Sequence, residues 1–501
     1  MKKLFAFLIL FATIIYSFTS CRKEDDFVTD SNAHLRFSKD TLVFDTVFAS
    51  VGSITLVLQV YNDYSNPVRI SSLRLAKGNS SYYRLNVDGM PGRSFTDVEI
   101  AAHDSMFIFC EVTIDPNNIA TPFVVTDSIV FTTNGNQQDV DLVSWGQNAH
   151  FHKPGAGNNA FLICNETWID DLPHVIYGIA LVDSACSLTI EKGTNIYFHP
   201  GSTLIVMTAG TLRVNGEKDS VVTFTGDRLD ADYREIPGQW GAIQLSNLAP
   251  SNLSGGNEHR GGSKNNVINY AVIKNANFGL VVDTVFDFFD HTPTLTLTNT
   301  IIENMSGFCL WGRGARIRSG NCVFANAAQY TAALSYGGIY DFRQCTFANF
   351  WNYSDRTEAT LLINNHYTDI HNVEQIRSID TAYFGNCIVY GNLADGKEIA
   401  LDSSTNSSGQ FNFFFKNSLL QVGGAFATSN PLHFDSCVVN QNPKFKNADM
   451  NNFKLDTLSN AKDKGSPSVL TPYQYLQFDL TGNTDRTLYG LPDCGAYERP
   501  E

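Results

Sequence analysis

Between residues 33 and 149 the chain alternates short apolar runs with turn-forming residues. Leu42-Val43-Phe44, Ser53 to Tyr61, Val68 to Leu75, Met106 to Ile114 and Ser128 to Thr133 are rich in β-branched and aromatic side chains, which suit a pleated, half-buried strand. Ser65-Asn66-Pro67, Asp88-Gly89, Asp115 to Asn118 and Asn134-Gly135-Asn136 separate them as turns. About seven short strands at this spacing predict a β-sandwich. Residues 150–160, with Pro154, Gly155 and Gly157, read as a linker. His150 and His152 fall within it, two apart and with no carboxylate close in sequence, so the pair is read as loop residues and no metal site is assigned.

From residue 161 to the end a different pattern takes over. A short unit recurs: Asn299-Thr300-Ile301-Ile302, Asn321-Cys322-Val323-Phe324, Gln344-Cys345-Thr346-Phe347, Asn386-Cys387-Ile388-Val389, Asn417-Ser418-Leu419-Leu420 and Ser436-Cys437-Val438-Val439. Tyr270-Ala271-Val272-Ile273 is a looser earlier copy. Its small second residue stands at 271, 300, 322, 345, 387, 418 and 437, a basic period near 22, with the 42-residue gap read as two turns. The leading polar residue suits a left-handed backbone turn. Alternation then points the small residue and Phe324, Phe347, Val389, Leu420 and Val439 inward. Such a unit cannot bury its face alone, so it predicts an array of stacked coils with internal cysteine and aliphatic ladders. At 22–26 residues per coil, the region would hold roughly a dozen coils. Residues 246–266, and also 391–410 and 461–470, read as loops ejected from the array.

The array opens with Leu188 to Ile190, Gly193-Thr194, Ile196 to Phe198, Gly201, Leu204 to Val206, Gly210, Leu212 to Val214 and Trp240-Gly241. It closes with Asp479 to Gly482, Arg486 and Pro492 to Glu498. Both ends resemble the right-handed parallel β-helix, pectate-lyase-like repeat superfamily. The order Val60-Tyr61-Asn62, Ile114 to Pro116 and Thr133 to Gly135 resembles an Ig-like accessory module. The expected fold is all-β: a sandwich over 33–149 followed by a right-handed parallel β-helix over 161–501.

The N-terminus carries an address. Lys2 and Lys3 precede the 12-residue apolar run Leu4 to Ile15, too short to span a bilayer and suited to a signal peptide over 1–20. Phe18-Thr19-Ser20-Cys21 resembles a lipobox, making Cys21 the expected lipid-attachment residue. Arg22-Lys23-Glu24-Asp25-Asp26, in a tether over 21–32, resembles the surface-export signal of Bacteroidota lipoproteins. The resemblance implies an outer-membrane anchor and an outward-facing protein. Removing the signal peptide takes away two lysines and moves the net charge from −15 to −17, which argues against nucleic-acid binding. The nine cysteines after Cys21 contain no CxxC, and their contexts favour buried free thiols over disulfides. Asp-Ser/Thr-apolar triplets, such as Asp40-Thr41-Leu42 and Asp127-Ser128-Ile129, resemble an O-glycosylation sequon of exported Bacteroidota proteins.

Chemistry is less legible. β-Helix enzymes that cleave polysaccharides need either converging carboxylates or a base with a partner for the uronate, often Ca²⁺. Asp283, Asp287, Asp290 and His291 form the densest acidic cluster of the coil region. Arg228 lies in the mixed-charge stretch 227–235. Asp283, Asp287 and Arg228 are therefore the catalytic candidates, with Ca²⁺ entering only for a lyase. Trp311, Trp351 and Tyr340 are the candidate sugar-stacking residues, and Phe411 and Phe413 to Phe415 form a further aromatic cluster. The leading expectation is a non-catalytic glycan- or surface-binding lipoprotein whose partner is a polysaccharide or a surface protein. The alternatives are a polysaccharide lyase or glycoside hydrolase, and an envelope scaffold.

Overall fold

The structure, a computed structural model, describes residues 26–48, 52–115, 123–155, 157–158, 160–247, 262–283, 292–406, 409–488 and 490–499. Cys21, Asp287, Asp290 and His291 lie outside them. Among the described residues no helix is long and apolar enough to cross a membrane. Contacts divide the chain after Asn148.

The N-terminal unit is a sandwich of two five-stranded sheets. Every second residue of Ser105–Val112 and of Asn136–Gln147 is buried along most of the strand. Those inward positions form one apolar core in which Leu58, Tyr83 and Ile108 of one sheet meet Leu42, Ile70 and Phe131 of the other. Pairing is antiparallel except where Thr41–Phe48 lies parallel to Asn136–Gln147.

The second unit is a parallel β-helix. Three parallel sheets of eleven, nine and ten strands each take one strand from every full coil. The early strands alternate, as in Asn195–Phe198, Thr203–Val206 and Thr211–Asn215, each with its even-numbered apolar residues buried, whereas Leu280–Asp283, Ala332–Ser335 and Thr346–Asn349 are buried throughout. The repeated unit behaves as its chemistry requires. Tyr270, Asn299, Asn321, Gln344, Asn386, Asn417 and Ser436 all have φ between +46° and +56°. The turn they make joins the third sheet to the first, and the small residue that follows drops into the core: Thr300, Cys322, Cys345, Cys387 and Ser418 are fully buried. Phe324 and Phe347 stack at 4.9 Å, and Phe342, Phe384 and Phe415 continue a second stack at 5.3 and 4.6 Å. The turn residues bond along the rod, Asn321 Nδ2 donating to Asn299 Oδ1 at 3.0 Å.

Several expectations change. The gap from Cys345 to Cys387 is one coil, because Thr346 pairs directly with Ile388. Its extra length is the hairpin of His366–Thr368 with Glu374–Ile376 and the long turn before Leu361–Asn364. Residues 391–410 are not wholly ejected, since Ile399–Asp402 continues the second sheet in register with Leu361–Asn364. Residues 150–152, read as linker, form the first strand of the first sheet. Cys164 and Cys186 are joined in a disulfide across one coil, whereas the other seven described cysteines are free. The chain after residue 443 leaves the coil and covers the outer side of the first sheet. There Phe453, Leu480 and Ala496 pack on Val323, Ala325 and Ala348. Arg486, fully buried, locks this segment down by donating to Asn321 Oδ1 and Ala496 O, both at 2.9 Å, with Glu498 3.5 Å away.

Candidate functional site

Along the second sheet and the turns that enter it runs a column of half-exposed rings beside paired charges. In Leu310–Arg313 the buried residues are Leu310 and Gly312, so Trp311 and Arg313 face outward. On the preceding rung Asp283 stands beside Arg313 in register, and Val281 beside Trp311. The following rung places small Ala333 and Ser335 there, leaving room for the indole. The turns entering this sheet deliver one ring per coil. Phe278 and Phe308 are 5.4 Å apart, Phe308 and Tyr330 5.6 Å, and Trp311 meets Phe308 edge-on at 5.0 Å. The turns leaving the sheet add Tyr336 and Tyr367, 4.7 Å apart.

A cleft of about 360 Å³ opens between these features, lined by Gln244, Asn247, Asp283, Arg313, Tyr336, Tyr367 and Arg377. Asp283 is buried and tied down. It accepts from Arg313 Nε at 2.6 Å and from Gln244 Nε2 at 3.1 Å. Its charge is thereby matched, and its lone pairs are largely committed. The Arg313 guanidinium in turn lies 4.9 Å from the centre of the Trp311 ring. Asp283 is the only carboxylate among the described lining residues. Beside the cleft, His366 stands between two acids, with Nδ1 3.2 Å from Glu374 and Nε2 3.1 Å from Asp402.

The other candidates fall elsewhere. Arg228 pairs with Asp230 at 2.8 Å and lies over the Tyr233 ring at 3.8 Å, so it is engaged within its own surface turn. Tyr340 is fully buried and donates its hydroxyl to Gly337 O at 2.8 Å. Trp351 is buried as well, with its indole N–H on Ser354 Oγ at 2.9 Å. Neither offers a ring face to a sugar, because inward alternation or a closing turn has used it for packing. Phe413 and Phe415 are likewise core. Only Trp311 of the three sugar-stacking candidates is half-exposed. Sequence reasoning missed Phe278, Phe308, Tyr330, Tyr336, Tyr367 and Arg377. The signal was present: Phe278 and Phe308 each stand two residues before a paired strand start, Leu280 and Leu310.

A larger cleft of about 720 Å³ lies on the sandwich, between Arg84, Asn86, Arg93, Phe109 and Glu111. It has no comparable column of rings. A third, of about 390 Å³, lies on the third sheet around Arg316, Arg318, Asp341 and Arg343. There Asp341 holds Arg343 at 2.8 Å and accepts from the Tyr473 hydroxyl at 2.9 Å.

No family model matches the chain, and no curated protein matches it. Among solved structures, the catalytic unit of a GH87 alpha-1,3-glucanase from Streptomyces thermodiastaticus is similar over 76% of this chain and 88% of that one, at 9% identity and a TM-score of 0.23. A PapD-like domain of human CEP192 is similar over 26% of this chain and 95% of that one, at 8% identity and a TM-score of 0.17. A family 123 glycoside hydrolase from Clostridium perfringens is similar over 24% of this chain, at 11% identity and a TM-score of 0.16. This chain spans 30% of that hydrolase's length. Similarity at this level carries no argument about activity, and the fold rests on the strand pairing described above.

Proposed function

We propose that this chain is a lipid-anchored, non-catalytic glycan-binding protein, attached through Cys21 to the outer membrane and facing outward, with the second sheet of its β-helix as the binding face. The observation that carries the reading is the run of half-exposed rings Phe278, Phe308, Trp311 and Tyr330 beside a cleft edged by Tyr336, Tyr367, Arg313 and Arg377. Rings of this kind cover the C–H faces of sugars, while planar guanidinium and amide groups meet hydroxyl and carboxylate edges. Trp, Tyr and Arg are also the side chains that concentrate binding energy. The commitment of Asp283 to Arg313 and Gln244 weighs against a free acid or base in the cleft. No metal or cofactor is needed for such binding.

One observation favours a second reading, glycoside hydrolysis: His366 holds Glu374 and Asp402 on its two ring nitrogens at the edge of the same face. A glycan-array screen of the mature chain, with new reducing ends and unsaturated uronate absorbance followed in parallel, separates the two. Binding without product is expected. Product formed by the wild type and abolished by Asp402→Asn would overturn the non-catalytic reading, and silence in both channels would overturn glycan binding. For the anchor, a radiolabelled fatty acid should enter the wild-type chain and not Cys21→Ser.

A further inference from the structure

The first rung of the β-helix is built from imidazoles. His150 and His152 are two apart on one strand, so they share a face, and His150 is the register partner of His174 on the second rung. The His152, His174 and Trp168 rings stack, with centroids 4.4 to 5.1 Å apart. Asp171, in the turn that leads into His174, places its carboxylate 3.0 Å from His150 Nε2. One ligand atom each from His150, Asp171 and His174 falls within 4.8 Å of the others.

The arrangement leaves one atom unaccounted for. His174 is 4% exposed; its Nδ1 is 2.8 Å from His152 Nε2, its ring lies within reach of the Ile169 carbonyl, and its own Nε2 is buried and makes no hydrogen bond of good geometry. A buried polar nitrogen without a partner costs on the order of a lost hydrogen bond or more. A neutral imidazole that donates Nδ1–H presents a bare lone pair at Nε2, the form in which histidine binds metals. The second imidazole then acts as the acceptor that fixes tautomer and ring angle, the usual outer partner of a metal-bound histidine.

We propose that His150, Asp171 and His174 bind one divalent first-row transition ion, with His152 as a positioning residue for His174. Two imidazoles and a carboxylate are a nitrogen–oxygen set suited to Zn²⁺, Ni²⁺ or Co²⁺ and leave a fourth position for water. Ligand atoms around a tetrahedral ion at ~2.0–2.2 Å stand roughly 3.3 Å apart. The His150–Asp171 pair, at 3.0 Å, lies just inside that spacing, and an ion replacing the proton they share would draw together a set that now spans up to 4.8 Å. The ion would tie the first rung to the second. The disulfide between Cys164 and Cys186 ties the same two coils at another corner. End rungs of a stacked array lack a neighbour on one side and fray most readily, so this is where crosslinks add most.

The test uses the full mature chain, stripped with a chelator and titrated with Zn²⁺ and, separately, Ni²⁺ by calorimetry. The expected result is one saturable equivalent and a melting temperature that rises with metal and falls again with chelator. Asp171→Asn and His150→Ala, which change half-exposed side chains and spare the core, should each weaken binding at least tenfold while the metal-free melting temperature holds. His152→Gln should weaken it roughly 10- to 100-fold, as loss of an outer partner does. The absence of a saturable equivalent, or binding that Asp171→Asn and His150→Ala leave unchanged, would overturn the site.

Discussion

Arg313 stands one rung beyond Asp283 in parallel register, and its Nε donates to the Asp283 carboxylate at 2.6 Å. The contact joins two coils at the rim of the proposed binding cleft and sets the guanidinium beside Trp311. Because Asp283 is buried, the two partners are not equivalent. Arg313→Met leaves a buried carboxylate with, among the described residues, Gln244 as its remaining side-chain donor and should cost ~3–5 kcal/mol. Asp283→Asn keeps one hydrogen-bonding oxygen and should cost ~1–3 kcal/mol. Urea unfolding of the two single variants and of the double variant checks this, and the double variant should recover part of the Arg313→Met loss.

Asn321 links the coil to the C-terminal cover. It has φ +56°, donates to Asn299 Oδ1, Tyr475 O and Phe478 O, and accepts from Arg486. Asn321→Ala combines left-handed strain with several buried polar groups left unpaired, and should cost ~2–4 kcal/mol. Asn321→Gly relieves the strain alone, so it should recover no more than ~1 kcal/mol of that loss. Equal stability of the alanine variant and the wild type in chemical denaturation would contradict the role.

The cysteine ladder predicts a thiol count. Burial pushes the thiols of Cys322 and Cys387 well up, as it does those of Cys309 and Cys494. Buried thiols of this kind are inert. A thiol reagent should therefore modify no more than Cys437, which is partly exposed, in the native mature chain. After unfolding without reductant it should modify seven thiols, because Cys164 and Cys186 remain joined. Nine would contradict the disulfide.

Glu303 gives a pH signature. Burial on the outer side of the first sheet, reinforced by Glu235 and opposed by Lys274, raises its carboxyl to about 7. In the unfolded chain a glutamate titrates near 4.3. Between those values the native state holds a proton that the unfolded state has lost. The group therefore takes nothing from stability below the unfolded value, and its penalty grows as pH rises toward 7. Relative to the wild type, Glu303→Gln should gain roughly 3–4 kcal/mol across that window, at ~1.36 kcal/mol per pH unit, read from urea melts at each pH. A difference that stays flat with pH would contradict the assignment.

The repeat was legible because its chemistry is local. An Asn or Gln at positive φ followed by a small inward residue leaves a mark at five successive coils, at 299, 321, 344, 386 and 417. The coil count went astray at Cys345 to Cys387, where a hairpin lengthens one coil without changing its ends. The paired cysteines and the histidine cluster were hidden for one common reason. Cys164 and Cys186 are 22 residues apart, and His150 and His174 are separated by nearly the same distance, so each pair is one coil apart and meets only once the coil closes. A reading confined to short spacings such as CxxC passes over contacts at the coil period. Tyr340 and Trp351 misled for the opposite reason, since composition signals aromatic rings but not the direction in which alternation turns them.

The most direct test of the functional account is a calorimetric titration of the best array glycan into the wild type and Trp311→Ala, with melting temperatures recorded for both. The account predicts saturable wild-type binding, at least a tenfold loss (about 1.4 kcal/mol) in Trp311→Ala, retained folding of that variant, and no new reducing ends. Equal affinity in the folded variant, or cleavage of the glycan by the wild type, would contradict it.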